Sequence, residues 1–157
     1  HVVCRRQRQM CIRDRFQSPS QAAQTANVAI PNDSKGHWAE TWIKDMIRYG
    51  VMDVEPDGNF YPDDSINRAT YAMAVQRLLV VATRDESLET KYFGEPQSRF
   101  SDVPSSHFAY NAMALCAERG IMQADMMTGR FMPTGPVTGA DALLIIRGLQ
   151  SSLRMTF

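Results

Sequence analysis

One supersecondary pattern occurs twice in this chain of 157 residues, about 70 residues apart, and the repetition constrains the fold more than any overall property does. The first copy runs Gly36-His37-Trp38-Ala39, Tyr49-Gly50-Val51-Met52, Asp57-Gly58-Asn59-Phe60-Tyr61-Pro62 and Ile66-Asn67-Arg68-Ala69-Thr70. The second runs Ser106-His107-Phe108-Ala109, Arg119-Gly120-Ile121-Met122, Thr128-Gly129-Arg130-Phe131-Met132-Pro133 and Val137-Thr138-Gly139-Ala140-Asp141. A unit of this size cannot bury its own apolar face and must stack on neighbours, which points to a scaffold or binding architecture rather than a single catalytic pocket.

Each copy reads as helix, loop, helix. In the first, Trp38, Trp42, Ile43, Met46 and Ile47 form one apolar stripe, and Glu40, Lys44, Asp45 and Arg48 lie opposite. Gly50 is placed to end that helix. A loop rich in Asp, Pro and Gly follows, with Pro62 and Asp63 outside the next helix. Asn67 is a good N-cap for a second helix reaching about Thr83, with Ala69, Ala72, Met73, Leu78 and Leu79 as its apolar positions. In the second copy Ser106 is the expected cap of a helix carrying Phe108, Ala112, Met113, Cys116 and Ala117, ended by Gly120. Thr138 and Asp141 make a capping-box-like pair, and Leu143, Leu144, Ile146 and Leu149 are the expected apolar face of the last helix.

Aligned with a shift of 70 before the loop and 71 after it, the copies share His37/His107, Ala39/Ala109, Gly50/Gly120, Met52/Met122, Gly58/Gly129, Phe60/Phe131, Pro62/Pro133, Ala69/Ala140 and Leu78/Leu149. These identities fall at helix starts, helix ends and the loop anchor, the positions that define a unit's shape. The boundaries that follow are 1–31 for an N-terminal segment, 32–83 and 100–152 for the repeats, and 84–99 for a charged, partly helical connector broken at Gly94-Glu95-Pro96.

The formal charge of zero conceals two unequal ends. Residues 1–15 hold five Arg against one Asp, a net of +4, which leaves the remaining chain at −4. A mildly acidic body argues against nucleic acid as a partner of the folded part. The Val3 to Arg15 segment resembles a translated sequencing-adapter read and is expected to be a scar, with the true start of the gene missing. Ser18 to Ala29 is small, polar and Gln/Ala-rich, as expected of a linker after a lost secretory signal or upstream domain. No apolar run approaches the roughly 20 residues of a membrane span. Cys4, Cys11 and Cys116 form no disulfide framework and no metal spacing with His1, His37 or His107; Cys116 reads as a buried thiol.

Phe100-Ser101-Asp102-Val103-Pro104, followed by His107-Phe108-Ala109, Gly120-Ile121-Met122, Gly129-Arg130-Phe131-Met132-Pro133 and Val137-Thr138-Gly139-Ala140-Asp141, resembles the S-layer homology repeat. That family's pattern is roughly F-x-D-V, H-W-A, G-I, D-G-x-F-x-P and I-T-R-A-E. The first copy carries His37-Trp38-Ala39, Asp57-Gly58-Asn59-Phe60-Tyr61-Pro62 and Ile66-Asn67-Arg68-Ala69-Thr70, so the resemblance spans about Asn32 to Leu149. It implies an all-α fold of two helix–loop–helix repeats packed as a partial pseudo-threefold bundle. It also implies an extracytoplasmic, non-catalytic module that anchors to cell-wall polysaccharide or peptidoglycan non-covalently, without metal or organic cofactor, with other such repeats or envelope proteins as further partners.

Carried over by position, Trp38 and Arg68 are the ligand-contacting residues, and Asp57 and Gly58 shape the loop beside them. A Trp face offers apolar contact to a sugar ring, and an Arg fork matches a carboxylate. The second copy has Phe108 and Gly139 in place of Trp and Arg, and Val54 and Ala124 stand where the family usually has a loop Gly.

Other roles compete at each of these positions. Trp38 and Phe108 start helices on the apolar stripe, where side chains more often pack into a core. Arg68 sits at a helix start, where the dipole disfavours a cation, so it needs a ligand or a structural partner. His37 and His107 suit a hydrogen bond that fixes the turn. Asp53, Glu55, Asp57, Gly58 and Asp64 occupy EF-hand positions 1, 3, 5, 6 and 12, which makes a calcium-binding module the alternative reading. Pro56 within that loop, and a second loop with Asp125 as its only carboxylate, oppose it. Repeats used only for protein–protein assembly are a further alternative. No phosphate loop, nucleophile–base pair or metal cluster supports an enzyme, and the ten Met residues read as core filler.

Overall fold

The computed structural model describes residues 28–155. Cys4, Cys11, His1, the Arg-rich segment and the Gln/Ala-rich linker to Asn27 lie outside the described residues. Among the described residues the fold is all-α, with four helices: α1 (Glu40–Arg48), α2 (Arg68–Thr83), α3 (Tyr110–Glu118) and α4 (Gly139–Met155). Short 3₁₀ turns cover Asn32–Ser34 and Glu86–Glu89. Among the described residues the sole β pairing is an isolated bridge between Asn67 and Pro136. The chain divides into two compact units, one ending at Pro62 and one beginning at Asp63.

The first unit is built around α1. His37 Nδ1 accepts the Ala39 amide at 3.2 Å, and the Glu40 carboxylate accepts the Gly36 amide at 2.7 Å, so the turn before the helix is held from both sides. At the other end the Gly50 amide reaches the Ile47 carbonyl and the Val51 amide reaches that of Met46. With Gly50 at φ +67°, this is a Schellman ending, satisfying carbonyls that the helix leaves open. Of the expected stripe only Ile43 is buried; Trp38 and Trp42 are 84% and 65% exposed.

The second unit holds the main core. Asn67 caps α2 as its sequence predicts, with its side chain accepting the Thr70 amide at 2.8 Å. Thr138 and Asp141 form the reciprocal capping box at the start of α4. The second Schellman ending pairs the Gly120 amide with Ala117 and the Ile121 amide with Cys116. Ser106 is not the cap of α3: Ala109 stands at the N-cap without a side-chain cap, and His107 Nδ1 accepts the Ala109 amide at 3.1 Å. Both histidines therefore fix their turns, as their positions imply.

Helix α3 is buried at every position from Tyr110 to Cys116, beneath Ala69, Ala72, Val75 and Leu79 of α2. The stretch expected as a connector joins this core, with Leu88 and Tyr92 buried. Asn111, itself buried, accepts the Tyr92 amide and donates to the Leu88 carbonyl and to Gln76. Lys91 and Tyr92 both reach the Glu118 carboxylate at the end of α3. The last helix differs from expectation: Ile145 and Leu149 face inward, whereas Leu143, Leu144 and Ile146 are exposed. Gly148 explains the close seat of α4, since a Cβ there would stand 3.1 Å from the Ile121 Cα.

Candidate functional site

The loops are shaped by two aspartates that no motif argument had assigned a role. In the second unit Asp102 accepts the Phe131 and Met132 amides, each at 2.8 Å. In the first, Asp33 accepts the Phe60 amide at 3.0 Å and the Tyr61 amide at 2.6 Å. Both clasps hold the Phe-x-Pro segment, and both force the middle residue into left-handed backbone: φ is +54° at Tyr61 and +56° at Met132. The F-x-D-V motif carried this signal in the second copy. The first copy hides it, because Asp33 is displaced by one residue from the 70-residue register.

Asp57 and Gly58 shape the first loop from within. The Asp57 carboxylate accepts the Asn59 amide at 3.0 Å, the Asn59 side chain at 3.1 Å and the Tyr61 hydroxyl. The Tyr61 and Asn59 donors hold its carboxyl below the ordinary 3.8. Gly58, at φ +85°, turns the chain so that its amide reaches the Glu55 carbonyl. A carboxylate so engaged is spoken for, and among the described residues no three His, Cys, Asp or Glu side chains cluster to hold a metal ion.

Trp38 belongs to the first unit and is not a core residue. Its indole is tilted 40° against the His37 ring at 5.5 Å between centroids. Phe108 repeats the arrangement in the second unit, stacked on His107 at 4.5 Å and 74% exposed. The expectation of core packing fails at both, because each ring lies on the turn ahead of its helix, outside the span whose apolar face is buried.

Arg68 belongs to the second unit and bridges its two loop–helix junctions. Its Nε donates to the Phe131 carbonyl and one terminal nitrogen to the Gln123 carbonyl, both at 2.8 Å. The guanidinium also lies 4.8 Å from the Phe131 ring centroid. The backbone supports this placement, with the Arg68 amide on the Gly135 carbonyl and the Ala69 amide on that of Pro133. The cation that the helix dipole disfavours thus has structural partners.

Arg68 also lines a cleft of about 300 Å³ with Gly120, Ile121, Met122, Gln123, Asp141, Leu144 and Ile145. Two of its five N–H donors are committed to carbonyls. The Asp141 carboxyl is held below its ordinary 3.8 chiefly by the Thr138 hydroxyl, then by the Thr138 amide, with Arg68 contributing. The cleft therefore has one cation, one anion and an apolar wall.

The buried Cys116 thiol takes no part in this site. Burial pushes it up to about 12, so it stays protonated and unreactive. No helix among the described residues is long and apolar enough to cross a membrane.

Known proteins share this pattern. The family model of the S-layer homology domain matches residues 32–72 and 99–143, together more than half of the chain. A cellulosome-anchoring protein of Acetivibrio thermocellus is 32% identical over 82 residues, covering 52% of this chain and 16% of that protein. An uncharacterized cell wall amidase of Bacillus anthracis is 34% identical over 115 residues, 73% of this chain and 20% of the relative. An S-layer protein of Bacillus licheniformis is 24% identical over 123 residues, 78% of this chain and 13% of the relative. The chain thus spans at most a fifth of the length of these relatives. No solved structure matches it. With both motif copies matched in order, and helices, loop clasps and glycine endings repeated in each, the chain belongs to the S-layer homology domain family.

Proposed function

We propose that this chain is a non-catalytic cell-envelope anchoring module, held outside the cytoplasm by non-covalent binding to cell-wall polysaccharide or peptidoglycan. The observation that carries the reading is the Arg68 cleft within a chain whose two repeats match the S-layer homology domain. The printed names of relatives agree with it: a cellulosome-anchoring protein and S-layer proteins are similar to this segment. A module common to proteins of such different description is best read as the part that attaches them. The cell wall amidase and amylopullulanase matches cover 20% and 6% of those proteins, so the shared segment gives no ground for assigning either activity here.

In this reading Arg68 meets an acidic group on the glycan or peptide, Asp141 accepts from hydroxyls, and Leu144 offers an apolar wall. Trp38 supplies a ring face for sugar contact in the other unit, and Asp57 and Gly58 keep their own loop in shape.

Co-sedimentation with purified sacculi tests it, before and after removal of the wall polysaccharide. Because Arg68 also holds backbone carbonyls, Leu144→Asp and Trp38→Ala accompany Arg68→Ala; both positions are exposed, so those variants fold. Wild-type protein is expected to pellet with sacculi, and the Trp38→Ala, Leu144→Asp double variant to stay in the supernatant. Equal pelleting of the two would refute the site, and failure of the wild type to pellet would refute the anchoring function. Loss of binding on stripping the polysaccharide would identify it, rather than peptidoglycan, as the ligand.

A further inference from the structure

Asp102 and Arg68 bind opposite ends of one peptide group. The Asp102 carboxylate accepts the Met132 amide at 2.8 Å, and the carbonyl of the same peptide unit, that of Phe131, accepts Arg68 Nε at 2.8 Å. In a planar trans peptide the N–H and C=O point in opposite directions, so the carboxylate and the guanidinium face each other across it. The arrangement follows the peptide dipole: the anion meets the positive N–H end and the cation meets the oxygen. Each hydrogen bond therefore polarises the group and strengthens the other. All four residues lie in the second unit.

The orientation of that peptide is not one the backbone adopts unaided. It depends on φ of Met132, which is +56°, in the left-handed region that a residue with a side chain rarely occupies. Asp102 compensates by accepting the Phe131 amide as well, also at 2.8 Å. The ion pair of Asp102 with Arg130 is long, at 3.9 Å, and Arg130 is 59% exposed, so the carboxylate serves the backbone more than it serves a cation. Were Met132 to relax to negative φ, the peptide would rotate and carry the Phe131 carbonyl away from Arg68. The guanidinium would keep the Gln123 carbonyl and the Phe131 ring. Two bonds fix the plane of the fork, whereas one leaves it free to turn.

We infer that Asp102 is a positioning residue for Arg68, acting through the 131–132 peptide to hold the guanidinium plane in the orientation it presents to the cleft. The inference rests on the reading of that cleft as the wall-binding site, and it adds a residue that stands outside the cleft lining. The second copy begins its own last helix with Gly139 where the first has Arg68, yet it keeps the clasp that frames the arginine of the first.

Nitrogen-15 NMR of the 157-residue chain reads the position of Arg68 through exchange of its Nε proton with water, the resonance being assigned by its loss in Arg68→Lys. Exchange is expected to be slow in the wild type and about tenfold faster or more in Asp102→Asn, which keeps one acceptor oxygen. Asp102→Glu, which keeps the charge but displaces the oxygens, should quicken it by a smaller factor and gives a second reading should Asp102→Asn unfold. Leu88→Ala is the control. It truncates a buried side chain of the connector and destabilises the unit without touching the clasp, so exchange should stay within about twofold of the wild type. Sacculus binding should weaken in Asp102→Asn and hold in Leu88→Ala. Fast exchange at Arg68 in the wild type would overturn the inference, as would unchanged exchange in both Asp102 variants. Equal quickening in Leu88→Ala would also overturn it, because Asp102 would then act through stability alone. So would quickened exchange with undiminished binding, since the orientation would serve no ligand. If the wild type does not pellet, the anchoring reading falls by itself, and exchange at Arg68 still decides whether Asp102 positions it.

Discussion

Replacing Asp102 with Ala tests the idea that a carboxylate clasp, rather than the glycines, holds the second loop. The side chain is 15% exposed and accepts two backbone amides at 2.8 Å. Hydrogen bonds to a charged group contribute about 1.5–3 kcal/mol each. The Phe131 amide is part-buried and would be left without its partner, whereas that of Met132 is exposed and water would replace much of its loss. A net cost of about 2–4 kcal/mol follows, which in a unit of this size lowers the thermal midpoint by about 10 °C or more.

The pH dependence has a definite sign. Burial raises the Asp102 carboxyl, but the Phe131 and Met132 amides, its own backbone and Arg130 outweigh it and hold the group below the ordinary 3.8. A depressed carboxyl contributes stability that is fully present above its unfolded value and is lost as pH falls through the folded one. The wild type should therefore approach the variant in acid. Calorimetry at pH 7 and at pH 3 reads both effects. Asp102→Asn, which keeps one acceptor oxygen, should fall between the two. A loss below about 0.5 kcal/mol at neutral pH, the size of an ordinary surface substitution, would refute the clasp.

Gly148→Ala should cost about 1–3 kcal/mol in a denaturant titration, because the added methyl group meets the Ile121 backbone at 3.1 Å. Trp38→Ala should leave the midpoint within about 0.5 kcal/mol while reducing sacculus binding, since the indole is outside the core. Cys116 should resist alkylation in the native protein at pH 8 and react once denaturant unfolds the chain, which peptide mapping distinguishes from reaction at Cys4 and Cys11.

Much of this fold is legible in local sequence because its signals are local. Gly50 and Gly120 end helices through left-handed backbone that other residues adopt at a cost, and Asn67 and Thr138 cap through side chains that reach three residues ahead. The roles of Asp33 and Asp102 were hidden for the opposite reason, since their partners stand 27 to 30 residues away. The Asp33 clasp is further obscured by one residue of register. At the candidate site, the sequence names Arg68 but not its attachment to the Phe131 and Gln123 carbonyls, which exists once two loop–helix junctions meet.

The residues alone therefore determine that this is a repeat of helices and loops, where each helix stops, and which family the pattern belongs to. Tertiary structure decides which apolar residues are buried. Periodicity places Trp42 and Ile43 on the same stripe, and Leu143 and Ile146 beside Leu149, but a helix face is buried when another element covers it. Helix α3 is covered by α2 and is buried from Tyr110 to Cys116, whereas α1 and α4 keep Trp42 and Leu143 in water. Burial is a property of the pair of surfaces, and one sequence segment specifies only one of them.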